Sequence, residues 1–190
     1  MHLKHFGDSY DIVKKSMLGW LSGLGPWAAH PMFTHAVTDA EAQAFARFLG
    51  VPVMSTAVLD ATTDRNVYLE PVGQWNSLFL DPDTGVRLRR EFGRRAPEFL
   101  FAEELARLAL RHPSGVIMAF DQSLPRGGER AAMSKKLTAL AEGRTHGFAY
   151  VSQASFLVVS SSIEVAQRAK ALVASASALP AERLLSGPGI

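Results

Sequence analysis

Apolar and polar positions along this chain fall into short extended runs separated by helical stretches. The clearest extended run is Ser77-Leu-Phe-Leu-Asp-Pro-Asp-Thr-Gly-Val86, in which three apolar residues lead into Asp81-Pro82-Asp83-Thr84-Gly85. An unbroken apolar run closed by turn residues reads as a short buried strand whose carboxyl end opens into a polar turn. Val116-Ile-Met-Ala-Phe120 has the same design and ends in Asp121-Gln122-Ser123. Phe148-Ala-Tyr-Val151 and Phe156-Leu-Val-Val159 predict a last pair of strands, antiparallel because the link between them is short.

Helical spacing fills the gaps. Asp8-Ser9 starts a helix over 8–22 with Tyr10, Val13, Met17, Trp20 and Leu21 on its apolar face, ended by Gly23 and Gly25-Pro26. Asp8, Asp11 and Lys14 follow at steps of three, line up off that face, and read as its solvated side. Trp27 to Phe33 predicts a strand broken at Pro31, and Val51 to Met54 a second one. Between them Thr38-Asp-Ala-Glu41 is a capping-box pattern for a helix to Leu49, with Gly50 as its stop. Residues 57–76 predict a loop, with a further strand at Val67-Tyr68-Leu69. Pro97 or Glu98 opens a helix to about Arg111, residues 129–142 form an amphipathic helix, and Ser161-Ser-Ile-Glu164 caps one to about Ala174. The Pro/Gly-rich tail from Leu179 reads as loose.

Strands alternating with helices predict an α/β fold of three layers, with a mostly parallel sheet and a C-terminal antiparallel strand pair. No repeat or linker divides residues 1–190, so one domain is expected. Composition narrows the classes. Hydrophobic residues make up 47% and charged residues 20%, which argues against disorder. No apolar run is long enough for a bilayer and the first residues lack a signal-peptide core, so the expectation is a cytoplasmic protein with no membrane partner. The absence of cysteine excludes disulfides, thiol nucleophiles and Cys-ligated metal. A net charge of +2 gives no whole-molecule basic field, so any nucleic-acid signal must be local.

Candidate chemistry gathers at the strand ends. If the two acid-terminated strands are parallel neighbours joined by one crossover, Asp81 and Asp121 open at the same sheet edge, where α/β folds bind ligands. The bland alternative for 81–85 is a plain type I turn, with Pro82 in its second position. Carboxylates beside a core need a partner, and Arg126 and Lys14 are the candidates. The segment 87–95 carries five arginines against Glu91, so Arg87, Arg89 and Arg90, with Arg126, are the candidate phosphate-binding residues. A solvated loop explains the same residues, and Phe92 is either a base-stacking platform or a core anchor. His2, His5, His30 and His35 lack metal-site spacing, and neither a nucleophile elbow nor a P-loop nor a dinucleotide fingerprint is present.

Two resemblances add to this reading. Phe6-Gly-Asp-Ser-Tyr-Asp-Ile-Val-Lys14 is similar to the F-A-D-V-L-K-H opening of bacterial adenine-N6 methyltransferases that modify 23S ribosomal RNA, and Leu78-Phe-Leu-Asp-Pro82 resembles their L-I-D-P-P-Y motif. The helix, strand, helix and strand pair that follow look like the second half of a class I methyltransferase, implying a Rossmann-like sheet. Nearly the whole chain also resembles a loose, functionally uncharacterised group of prokaryotic and phage proteins with a D-P-D-N/T-G turn and a later Y-Q-H-x-x-R element, matched here by Phe120-Asp-Gln-Ser-Leu-Pro-Arg126. The first resemblance implies S-adenosylmethionine as cofactor, with Asp8, Asp11 and Lys14 binding it and Lys14 near its carboxylate. It implies nucleic acid as partner and Asp81 as acceptor from the target amino group; apart from the resemblance, Asp83, Asp121 and Gln122 of the two acid-led turns are further catalytic candidates. The chain departs from that family at Asp83, at Thr84, and in lacking a glycine loop after the first strand.

Two rivals stand beside the methyltransferase-like reading. Asp81, Asp83 and Asp121, with Asp8 or Glu104, would suit Mg²⁺ or Mn²⁺ in a nuclease or phosphoryl hydrolase. A non-catalytic binding protein on the same fold is the other.

Overall fold

The computed structural model describes residues 6–70 and 75–190. Its first elements are α1 (Ser9–Trp20), β1 (Trp27–His30), α2 (Asp39–Leu49), α3 (Arg65–Tyr68), β2 (Ser77–Leu80), β3 (Gly85–Arg87) and β4 (Phe99–Phe101). They are followed by α4 (Ala102–Arg111), β5 (Ile117–Asp121), α5 (Glu129–Glu142), β6 (His146–Tyr150), β7 (Ser155–Ser160), α6 (Ile163–Ser177) and β8 (Leu184–Ser186). His2, His5 and the 71–74 part of the expected loop lie outside the described residues.

Helix starts follow local chemistry. Asp8 accepts the N–H groups of Tyr10 and Asp11 to cap α1, Thr38 and Glu41 form the expected capping box of α2, and Ser162 caps α6. The six-stranded sheet runs β1-β2-β5-β7-β6-β8. β1, β2 and β5 are parallel, while β7 is antiparallel to β5 and to β6, and β8 is antiparallel to β6. Four of the six strands therefore point the same way, in a mixed α/β fold with the expected antiparallel pair near its end.

Strand alternation sorts the core onto two faces. Leu78, Leu80, Ile117, Ala119 and Leu157 face Leu105, Leu108, Met133 and Leu137 of α4 and α5. Phe79, Met118, Phe120, Phe156 and Val158 face Met17, Leu18, Phe45, Ala169 and Val173 of α1, α2 and α6. Each of these buried side chains larger than alanine contributes roughly 1.5–3 kcal/mol relative to an exposed one. Both faces are covered, so the strands read as unbroken apolar runs.

Several expectations need correction. Val67 to Leu69 is not a strand: Asp64 accepts the N–H groups of Asn66 and Val67 and starts the short α3. Val51 to Met54 contributes only a single bridge, Val53 to Ala29, on the outer side of β1. The helix expected from Pro97 or Glu98 starts at Ala102, because Phe99, Leu100 and Phe101 are buried as β4 and pair with β3. The tail is not loose. β8 covers the edge of β6 and sends Leu184 and Leu185 to the two opposite cores.

Candidate functional site

The parallel pair β2–β5 brings both acid-led turns to one edge of the sheet, as expected. Parity then separates the acids. Asp81 follows Leu80 and points to the face of α1, whereas Asp121 follows Phe120 and points to the face of α5.

On the α1 face, Lys14 Nζ lies 2.9 Å from Asp81 Oδ2 and 2.9 Å from Asp11 Oδ1. Asp11 Oδ2 also accepts the Gly7 N–H at 2.8 Å, and the ammonium stands 4.5 Å from the centre of the Phe120 ring. The reading of Asp11 and Lys14 as a solvated face is therefore wrong: they are 2% and 5% exposed, and the buried stripe of α1 is charged in its first half. A single cation serves two acids here. Burial alone would depress the Lys14 ammonium, but the Asp81 and Asp11 carboxylates hold its pKa above the ordinary lysine value. Burial pushes the Asp81 carboxyl up, more than Lys14 pulls it down. The two directions agree: two carboxylates share one ammonium, and the excess negative charge favours the protonated forms of both Lys14 and Asp81. Asp8, at the head of the same helix, is spent on the cap.

On the α5 face, Asp121 Oδ1 accepts from the Val86 N–H (3.0 Å), the Ser123 N–H (3.0 Å) and the Ser123 hydroxyl (2.7 Å). Its Oδ2 takes Lys136 Nζ at 2.5 Å, and Lys136 also reaches Ser123 Oγ at 3.0 Å. Gly85 passes so close that a Cβ there would lie 2.2 Å from Asp121 Oδ1. The Gln122 N–H donates to Thr84 O at 3.1 Å. Asp121 is thus a clamp that ties the 81–85 turn to β5, and the Gln122 side chain is exposed. Lys136, not Arg126, is the partner of Asp121; Arg126 is exposed in the turn before α5.

Asp83 accepts from the Thr34 hydroxyl. Glu104 is held by Arg65 through both oxygens, at 2.6 and 2.7 Å, and accepts the Phe101 N–H at 3.0 Å. Among the described residues no three His, Asp or Glu side chains form a group that would hold a metal. With Asp81 and Asp121 on opposite faces, each already ion-paired to a lysine, the two acids cannot close on one Mg²⁺ or Mn²⁺ ion.

Two clefts open beside these anchors. One, of about 450 Å³, lies at the carboxyl end of β1 and is lined by His30, Met54, Val58, Asp64, Val67 and Tyr68. His30 is 1% exposed and its ring centre is 4.7 Å from that of Tyr68. Its Nε2 lies 2.9 Å from Tyr68 O and its Nδ1 accepts the Met32 N–H, which together assign the neutral Nε2–H tautomer. Burial accordingly pushes its pKa down. The second cleft, of about 600 Å³, lies between β3 and α5. Arg87, Arg89 and Arg95 line it, while Arg90 pairs with Glu103 at 3.5 Å, outside its lining.

Sequence alone does not single out Lys136 or Arg65, and it brings in His30 only as a histidine without metal-site spacing. Only Lys136 left a signal, three residues after Met133 and four before Leu140 on the buried stripe of α5. No helix among the described residues is long and apolar enough to cross a membrane. Comparison with protein-family models, with curated proteins and with solved structures gave no match.

Proposed function

We propose that this chain is a methyltransferase-like protein that binds a nucleoside of the S-adenosylmethionine type without transferring the methyl group. The observation that carries the reading is a contrast: the cleft at the end of β1 is open, while Asp81, at the end of the neighbouring β2 and not part of the cleft lining, is buried under Lys14. Supporting it are the parallel β1, β2 and β5, the β6–β7 hairpin, and the bridge from Val53 to β1, since ligands of such sheets bind beyond the strands' carboxyl ends.

The cleft falls in the size range of small-ligand sites. Tyr68, Met54, Val58 and Val67 supply apolar and aromatic surface for a base, and Asp64, whose Oδ1 caps α3, offers its other carboxylate oxygen to ribose hydroxyls. These residues fit the nucleoside half. The methionyl half finds no cation among them, because Lys14 is committed to two carboxylates. S-adenosylmethionine supplies an electrophilic methyl group when bound. Its transfer would need Asp81 to accept from the target amino group, which requires breaking a buried ion pair. That is why the reading stops at binding.

Calorimetric titration with S-adenosylmethionine and S-adenosylhomocysteine tests it, with Mn²⁺ run separately. Micromolar binding of the nucleosides is expected, weakened about tenfold or more in Tyr68→Ala by loss of the stacking face. Labelled S-adenosylmethionine incubated with ribosomal RNA should leave the RNA unlabelled. Absence of nucleoside binding sinks the reading, and heat with Mn²⁺ alone, lost in Asp83→Asn, would move it to metal chemistry.

A further inference from the structure

The second cleft shares no lining residue with the first and does not depend on it. The geometry points to a phosphate-ester site in this cleft between β3 and α5, with Arg87, Arg89 and Arg95 gripping the phosphate. Its floor holds the Lys136 ammonium, 6% exposed, beside the Ser123 hydroxyl. Val86, Leu88 and Phe99 give it an apolar wall for the rest of the ligand.

The guanidinium groups are arranged differently from a solvated run. Arg87 Cζ stands over the Phe99 ring, 4.0 Å from its centre, and Arg95 Cζ is 5.8 Å from the same centre. Stacking on an aromatic restricts a guanidinium before any ligand arrives, so less side-chain entropy is lost on binding. Arg89 is exposed and makes no ion pair or hydrogen bond with a described residue. The acids nearby are accounted for. Asp121 sits behind Lys136, Glu98 holds Arg95 at 2.8 Å, and Glu91 pairs with Arg87 inside the cleft itself. The Arg87 and Glu91 side chains are 38% and 47% exposed, so that pair is weak and a phosphate can displace the Glu91 carboxylate from Arg87. Glu91 is in this sense a built-in competitor.

The phosphate can belong to a free nucleotide or to a nucleic-acid strand, and the test separates the two. Binding of adenosine diphosphate, of adenosine and of a short single-stranded oligouridylate is measured for the full chain at two salt concentrations. Adenosine diphosphate is expected to bind more tightly than adenosine and to weaken as salt rises. Arg89→Ser, a surface change that leaves the fold alone, weakens it about tenfold by removing a charge-assisted contact. Glu91→Gln tightens it about two- to fivefold by releasing Arg87. The opposite signs matter, because a merely structural loop would not gain affinity. If the oligouridylate shows this pattern and the diphosphate is silent, the source is a strand. Binding of neither probe, or binding that ignores either substitution, overturns the proposal. Adenosine binding lost in Tyr68→Ala but not in Arg89→Ser reports on the first cleft alone, so the two readings fail separately.

Discussion

Replacing Lys14 by methionine lowers the unfolding free energy by about 3–5 kcal/mol at neutral pH, the typical loss when one member of a buried ion pair is removed. The reason is the two-to-one arrangement around the ammonium: Asp11 and Asp81, both nearly inaccessible, would face each other with no cation between them. The pH dependence follows from the direction of the shifts. The Asp81 carboxyl is already raised by burial in the intact protein and rises further without Lys14. A group with a raised folded pKa contributes stability below its unfolded pKa and loses it as pH rises through the folded one. The deficit of the variant is therefore largest at neutral pH and shrinks as pH falls into the ordinary carboxyl range. The intact protein should show a second, alkaline limb, because Lys14 is also raised and its contribution disappears only above the ordinary lysine range. Urea unfolding of both proteins across pH checks this, and a deficit that grows in acid would refute the triad as described.

Gly85→Ala is expected to be at least as damaging, at about 4 kcal/mol or more. Gly85 has φ +133°, and its missing Cβ would meet Asp121 Oδ1 at 2.2 Å, the Gln122 nitrogen at 2.8 Å and the Ser123 nitrogen at 2.9 Å. Two of these are backbone atoms and the third is a carboxylate tied by Val86, Ser123 and Lys136, so none has room to yield. Backbone strain of about 1–3 kcal/mol adds to the loss of buried hydrogen bonds, each of similar size. Gly93 provides the control. Its φ is +107°, but nothing lies within 4 Å of its would-be Cβ, so Gly93→Ala carries strain alone and costs less. Equal shifts in melting temperature for the two would show that the clamp between the turn and Asp121 does not hold the structure.

The strands and helices that follow period and capping chemistry were legible: β2, β5, the hairpin β6–β7 and the capped helices α1, α2 and α6 stand where pattern placed them. The errors share a cause. Arg65, Lys14 and Lys136 are buried by acids elsewhere in the chain, Glu104, Asp81 and Asp121, Asp11 is buried with Lys14 one turn along the same helix, and periodicity assigns any charged position to solvent. β3, β4 and β8 are too short to show a period and exist because an edge or a neighbour offers pairing. The convergence of two acid-led turns was foreseeable. Their division between two faces was not, because it needed the phase of each strand relative to its first buried residue.

That phase leaves the sheet one step from a different chemistry. Continuing the β2–β5 register by one residue sets Phe120 beside Asp81, on the side covered by Lys14. Neighbouring strands are about 4.8 Å apart, so an acid at 120 would stand next to the one at 81. In the natural chain the aromatic ring takes that place, closing over the lysine, and the acid comes a residue later on the far side. For a protein engineer the adjacent-carboxylate arrangement is thus a single substitution away, and Phe120 is the residue that keeps the two acids from meeting.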